Sequence, residues 1–413
     1  MTDSSEPPPD GPPTRRTLLR LAGLAALLGG PGTAGATGAA SDEVWSAGPA
    51  GAAPTATLDD GVGEHATAVA LDGTTAVVGV APSAGGDGPT VGRAVVFTHD
   101  GGTWSREAVL PADGVGQFGR AVALEGDTAV VGSELGGPAA HAGSAAVFVR
   151  DDGTWSRKTT LEGGAADDVD LFGTAVDVAG DTVLVGASSA AHGDRRSGAA
   201  SLFTRRGDGW HRTATLAPGE GIERFGRAVA LEGDTAVVGG RGTSLGDSGV
   251  AVAFERYGGG WRRQAELVAP GGRADDGFGS ALALAGGTVL AGAPTATNDS
   301  GLDAGAVHVF ARERGGWRHR AVLRDRDGGF GSRFGRAVTL DGDRALVGDE
   351  SPGGPHVFAR SGSAWLRQRS LGDGSSGRGA GTLVSLDGEH ALVGSGGPDD
   401  RDWARLPVEV FGP

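Results

Sequence analysis

Short apolar runs alternate with tight polar turns along most of the chain. The stretch FGRAVALEGDTAVVG runs from Phe118 to Gly132 and recurs unchanged from Phe225 to Gly239. Period-two alternation sets Phe118, Val122 and Leu124 on one face of a strand and Gly119, Ala121 and Ala123 on the other. Glu125-Gly126-Asp127 supplies the turn, and TAVVG begins a second strand. The pattern therefore predicts a β-hairpin rather than a helix. Weaker copies start at 65, 172, 278, 334 and 380, so seven units follow one another at spacings of 46 to 56 residues.

Each unit continues past its VG into a variable loop, a strand ending in Phe, a hairpin and a strand opening on Trp. The Phe column reads Phe97, Phe148, Phe203, Phe254, Phe310, Phe358 and Phe411, and the Trp column Trp104, Trp155, Trp210, Trp261, Trp317 and Trp365. The seventh unit stops at VEVFGP, before its Trp strand, while EVWSAGPAGAAPTATL precedes the first unit and carries Trp45 and a Leu. Four strands per unit, seven units and a displaced last strand predict an all-β protein, a seven-bladed β-propeller closed by its N-terminal strand. Residues 42–413 form the propeller, and 43–58 complete the last blade.

The two faces of each predicted inner strand differ in bulk, so neighbouring sheets are expected to stack bulky face on slim face. The Gly after each Phe is expected to permit close backbone approach where the inner strands crowd the central axis.

Composition narrows the functional classes. The net charge is -15, which argues against a nucleic-acid partner. Lys158 is the single lysine among 36 basic residues; with the acidic balance this fits a high-salt environment. The lack of cysteine excludes disulfides, thiolate zinc sites and a thiol nucleophile. Arg15 and Arg16 precede a short Leu/Ala run, then TAGATGAA; residues 1–41 are read as a twin-arginine signal peptide and small-residue linker, kept as an anchor in the alternative reading. No later segment is apolar for long enough to cross a membrane.

FG at the head of the unit, VGA or VGAP after the second strand and V-x-V-F in the third resemble the FG-GAP repeat, the unit of integrin α-type propellers and of many exported microbial proteins. The likeness spans residues 43–413, and the full GAP triplet stands at Gly292-Ala293-Pro294. The resemblance implies a secreted or cell-surface interaction domain. Many such units hold calcium in a D-x-[DN]-x-[DN]-G loop between their first two strands; here that connection is a turn such as LEGDT, so no calcium is carried over and no cofactor is expected.

Other motifs carry little chemistry. GVGQFG at Gly114–Gly119 leads into a strand where a dinucleotide site needs a helix. GTSLG around Ser244 lies in a loop and lacks the strand-turn-helix setting of a nucleophile elbow. THDGGTW and VRDDGTW are read as hairpin turns. His308 and His356 share one column and are expected to pack rather than bind metal.

The loops expected on one face hold Asp59, Asp60, Asp167, Asp168, Asp170, Asp275, Asp276, Asp299, Asp303, Asp349, Asp399 and Asp400. They are read chiefly as a solvated acidic surface, with Asn298, Asp299 and Asp303 as candidate oxygen ligands for a hard cation. The expected function is that of an exported, non-catalytic interaction or adhesion propeller meeting a protein or glycan through this face, as a monomer at the cell surface or outside the cell. A carbohydrate-active or ester-hydrolysing propeller and a structural cell-envelope role stand as alternatives.

Overall fold

The computed structural model of the chain describes residues 53–59, 65–81, 92–112, 116–136, 142–164, 170–191, 196–242, 248–298, 301–351, 353–371, 381–394 and 408–412. They form seven antiparallel sheets of four strands, here called blades 1 to 7, with strands A to D in order within each. Blade 1 comprises His65–Asp72, Thr75–Ala81, Arg93–Asp100 and Thr103–Leu110. Blade 2 comprises Phe118–Glu125, Thr128–Ser133, Ser144–Asp151 and Thr154–Glu162, and blade 3 Phe172–Ala179, Thr182–Ala187, Ala199–Arg206 and Gly209–Leu216. Blade 4 comprises Ile222–Glu232, Thr235–Gly242, Val250–Tyr257 and Gly260–Leu267, and blade 5 Leu282–Ala285, Thr288–Ala293, Ala306–Glu313 and Gly316–Leu323. Blade 6 comprises Val338–Asp341, Arg344–Val347, His356–Ser361 and Ala364–Ser370.

Blade 7 is composite. Its strands Leu383–Asp387, His390–Gly394 and Val408–Phe411 are completed by Ala56–Leu58, which pairs antiparallel with the third, Leu58 opposite Val408. Leu58 is buried and takes the position that Leu110 holds opposite Ala94 in blade 1. The predicted closure stands on this strand; Trp45 lies outside the described residues.

Stacking follows the two-faced pattern. Phe118, Leu124 and Phe148 of blade 2 pack against Ala70, Val77, Ala94 and Val96 of blade 1. The other face of blade 2, with Ala123, Val130, Ala145 and Val147, receives Phe172, Val178 and Phe203 of blade 3. The two Phe rings of a blade meet edge to face, at 6.4 Å for Phe118 and Phe148 and 6.1 Å for Phe172 and Phe203. Each buried Phe contributes about 1.5–3 kcal/mol, so these rings dominate the apolar energy of a junction.

The Gly after Phe does permit a close approach, but to the preceding blade rather than across the axis. Gly226 has φ +93°, and a Cβ there would press on the carbonyl oxygen of Ala199 in blade 3. A Cβ on Gly186, the Gly of VGA, would overlap the carbonyl oxygen of Gly226 in return. Beside this contact Phe225 N donates to Ser197 O at 2.9 Å, as Phe172, Phe278 and Phe334 do to Ala142, Ser248 and Ala304. The FG and VG columns are thus two halves of one backbone joint between blades.

The turn acids are structural as well. The acid closing strand A accepts from the turn amide of the next blade: Asp72 from Gly126, Glu125 from Gly180, Glu232 from Gly286 at 2.9 Å, and Asp341 from Gly388 at 2.8 Å. Asp387 accepts from Gly73 and carries the series across the closure. The turn's second acid binds an Arg of its own strand C, as Asp127 binds Arg150 at 2.7 Å.

Candidate functional site

The B–C and D–A connections adjoin at the ends of the strands away from these turns. Ser189 N donates to Asp170 O and Thr295 N to Asp276 O, both at 3.1 Å, and Glu350 N donates to Ser332 O at 2.7 Å. The acidic residues placed there by sequence are not uniformly solvated. Asp59 and Asp275 are exposed, and Asp275 pairs with Arg241 at 3.0 Å. Asp170, Asp276 and Asp349 are buried, which corrects the reading of these loops as a solvated surface. Burial is specific: Asp276 folds back so that its Oδ2 accepts from Arg273 N at 2.7 Å.

The candidate ligands Asn298 and Asp303 serve the B–C loop of blade 5. Asn298 Nδ2 donates to Gly305 O at 2.8 Å, and the main-chain O of Asp303, at φ +52°, accepts from Arg333 N at 3.0 Å. Asp299, Asp60, Asp167, Asp168, Asp399 and Asp400 lie outside the described residues. Next to this loop two apolar side chains stand in solvent, Leu302 at 60% exposure and Phe330 at 72%, with Gly331 N donating to Leu302 O.

The densest chemistry lies at the junction of blades 5 and 6. Asp325 comes from the D–A connection between them, Asp349 directly follows strand B of blade 6, and His356 opens strand C. These three are the described residues of His, Asp or Glu type whose donor atoms stand close enough together to share one ion, all within 4.8 Å. His356 Nε2 is 3.5 Å from Asp325 Oδ2 and 3.9 Å from Asp349 Oδ2, longer than a formed hydrogen bond. All three side chains are almost fully buried, and among the described residues neither Asp349 Oδ2 nor His356 Nε2 has a hydrogen-bond partner.

Their other atoms are held. His356 Nδ1 hydrogen-bonds Ser370 Oγ at 2.8 Å, Arg367 binds Asp325 Oδ1 at 2.8 Å, Asp327 N donates to the same oxygen at 3.1 Å, and Ser351 N donates to Asp349 Oδ1 at 2.5 Å. Burial pushes the Asp349 carboxyl up to about 6, against the opposing bonds from Ser351 and the nearby imidazole. For Asp325 burial acts in the same direction but is outweighed by His356, the Asp327 amide and Arg367, which hold it below the usual carboxylate range. The Ser370–His356–Asp order resembles a nucleophile relay, yet Ser370 is buried and its Oγ accepts from Arg367 as well, so the hydroxyl is not presented to a substrate.

His308 does pack as expected. Its ring meets Phe278 edge to face at 5.4 Å, and its Nδ1 lies 3.1 Å from His319 Nε2. Burial, then His319 and Arg324, lower it to about 4. His356 packs as well, buried against Phe334, and its ring also faces carboxylates. Asp325 was not singled out from sequence. The signal was one of position: Asp349 replaces the Ala of Ala187 and Ala293, and Asp325 stands where the other blades have Ala112, Gly163, Pro218 and Ala269. GVGQFG leads into the strand Phe118–Glu125, as expected. Asp152 and Gly153 both have positive φ, as a tight hairpin requires, which bears out the hairpin reading of VRDDGTW. Ser244 lies outside the described residues.

A search of curated proteins returns no match. A chain in the crystal structure of a mitotic checkpoint complex is similar at a TM-score of 0.55 and 13% identity, covering 94% of this chain and 97% of that one; at such identity the likeness is of fold alone. The FG-GAP repeat family matches residues 155–203 and 261–310, each window running from the Trp of one blade to the Phe of strand C in the next. The chain is therefore a seven-bladed β-propeller in which two stretches, 155–203 and 261–310, match the FG-GAP repeat.

Proposed function

We propose that the protein is an exported, non-catalytic interaction propeller that meets a protein or glycan at the cell surface through its B–C and D–A loop face. FG-GAP propellers are in general interaction domains of extracellular or cell-surface proteins, which supports the broad assignment. The observation that carries the choice of face is the pair Leu302 and Phe330, mostly exposed on adjoining loops that Gly331 N links to Leu302 O. An aromatic and an aliphatic side chain rimmed by charge is the composition of a binding hot spot. Export by the twin-arginine route through Arg15 and Arg16 belongs to the same proposal, as does the monomeric state. Among the described residues no helix is long and apolar enough to cross a membrane.

The test is a cross-linking pull-down on intact native cells with the chain folded in high salt, beside variants L302S/F330S and D299N/D303N. Capture of one surface protein or glycan, reduced at least tenfold by either double variant, supports the reading. No capture, or capture indifferent to both variants, contradicts it and turns attention to substrate screening.

A further inference from the structure

We propose that Asp325, Asp349 and His356 bind a first-row divalent cation of the Zn2+ type, which clips the connection between blades 5 and 6 onto the B–C loop of blade 6. The proposal is independent of what the loop face binds. It concerns the ends of the strands opposite the A–B turns, where the family's calcium loops would lie and where the acids instead hold neighbouring turns.

Three observations converge. First, the donors are spaced for one ion: bonds of about 2.0–2.1 Å set tetrahedral ligands roughly 3.3 Å apart, and His356 Nε2 stands 3.5 and 3.9 Å from the two carboxylate oxygens. Second, Asp349 Oδ2 and His356 Nε2 are buried with no hydrogen-bond partner among the described residues, a costly arrangement that a shared cation relieves. Third, the partners of the remaining atoms form the outer shell that metal ligands usually have. Ser370 fixes the imidazole so that Nε2 faces inward, Arg367 and the Asp327 amide hold Asp325 by Oδ1, and Ser351 N holds Asp349 by Oδ1.

The donor set chooses the ion. One imidazole with two carboxylates suits Zn2+ or a neighbour such as Mn2+, whereas Ca2+ takes six to eight oxygens and gains little from an imidazole. Two carboxylates and a dication are neutral as a unit, which suits a buried position. Three protein donors leave a position for water. Ser370, Arg367 and Ser351 are positioning residues in this account.

The test uses the full chain, stripped by chelator, desalted and titrated with ZnCl2 by calorimetry in high salt with excess Ca2+ to occupy exposed carboxylates; bound metal is counted by mass spectrometry. D349A and H356V are carried in parallel, because they install residues that sibling blades already hold, Ala187 and Ala293 in one column and Val95 and Val252 in the other. The expected result is one equivalent of Zn2+ surviving desalting and a raised melting temperature. In either variant affinity falls at least tenfold while the circular dichroism and the metal-free melt stay at or above wild type. S370A, which removes only the orienting hydroxyl, is expected to weaken Zn2+ by a smaller factor. Failure of the wild type to retain an equivalent, or retention by D349A and H356V at wild-type affinity, overturns the proposal.

Discussion

The junction between blades 2 and 3 and that between blades 5 and 6 share one frame and differ in what fills it. In the first, Ala187, Ser201, Gly163 and Thr215 occupy the columns that in the second hold Asp349, His356, Asp325 and Ser370. The strand-D arginine is common to both. Arg212 donates to the backbone oxygens of Glu162 and Gly163, whereas Arg367 binds the carboxylates of Asp325 and Asp327. The backbone joint of FG and VG glycines is the same at both. A propeller junction can therefore exchange small side chains for ligand groups without altering the blade, because the frame is held by glycine contacts and Phe rings elsewhere.

That comparison breaks first if the frame is not shared. Gly173→Val and Gly335→Val each force a Cβ into the preceding blade from a positive φ, and each is expected to cost more than about 4 kcal/mol or to prevent folding, alike at the two junctions. Phe172→Ala and Phe334→Ala, both fully buried, are expected to cost about 3–5 kcal/mol each in guanidinium melts. A large difference within either pair would show that the junctions are not equivalent.

The junction of blades 4 and 5 sharpens the comparison, because it carries imidazoles without the carboxylates: His308 and His319 stand in the columns of His356 and Arg367. His308 is lowered to about 4 by burial, His319 and Arg324, so the unfolded chain takes up a proton that the folded one refuses. The contribution of His308 to stability should be complete above pH 6.5 and fall as pH drops from about 6.5 to about 4, by about 3 kcal/mol in all. His308→Val should remove that acid loss; an unchanged pH profile of melting would contradict the burial account.

The smallest expected differences come from the arginines. Arg367→Ala leaves the buried Asp325 without its cation and is expected to cost about 2 kcal/mol, less than for a fully buried pair because Arg367 is partly exposed. Arg212→Ala, which loses bonds to carbonyls only, should cost about 1 kcal/mol.

The fold was legible because each blade repeats its own evidence: the columns of Val122 and Leu124 hold Val or Leu in all seven units, and Leu58 matches the Leu column of the other blades. The turn acids were visible as turn residues but not as links, since Asp72 and Gly126 lie a whole blade apart and meet only once the sheets are ringed. The buried cluster was harder for a related reason. Asp349 and His356 were each noticed, one among loop acids and one as a packing histidine, but Asp325 belongs to another repeat unit, and only the blade joint brings it within 3.5 Å of the imidazole. Periodicity reveals what blades share; a site made of departures from three columns requires the junction itself.

The most direct test of that account is anomalous diffraction at the zinc edge from crystals of the full chain grown with Zn2+ and excess Ca2+. The account predicts one strong peak between Asp325, Asp349 and His356 and none in the matching space beside Ala187 and Ser201. No peak at the blade 5–6 junction, or peaks of equal strength at both junctions, would contradict it.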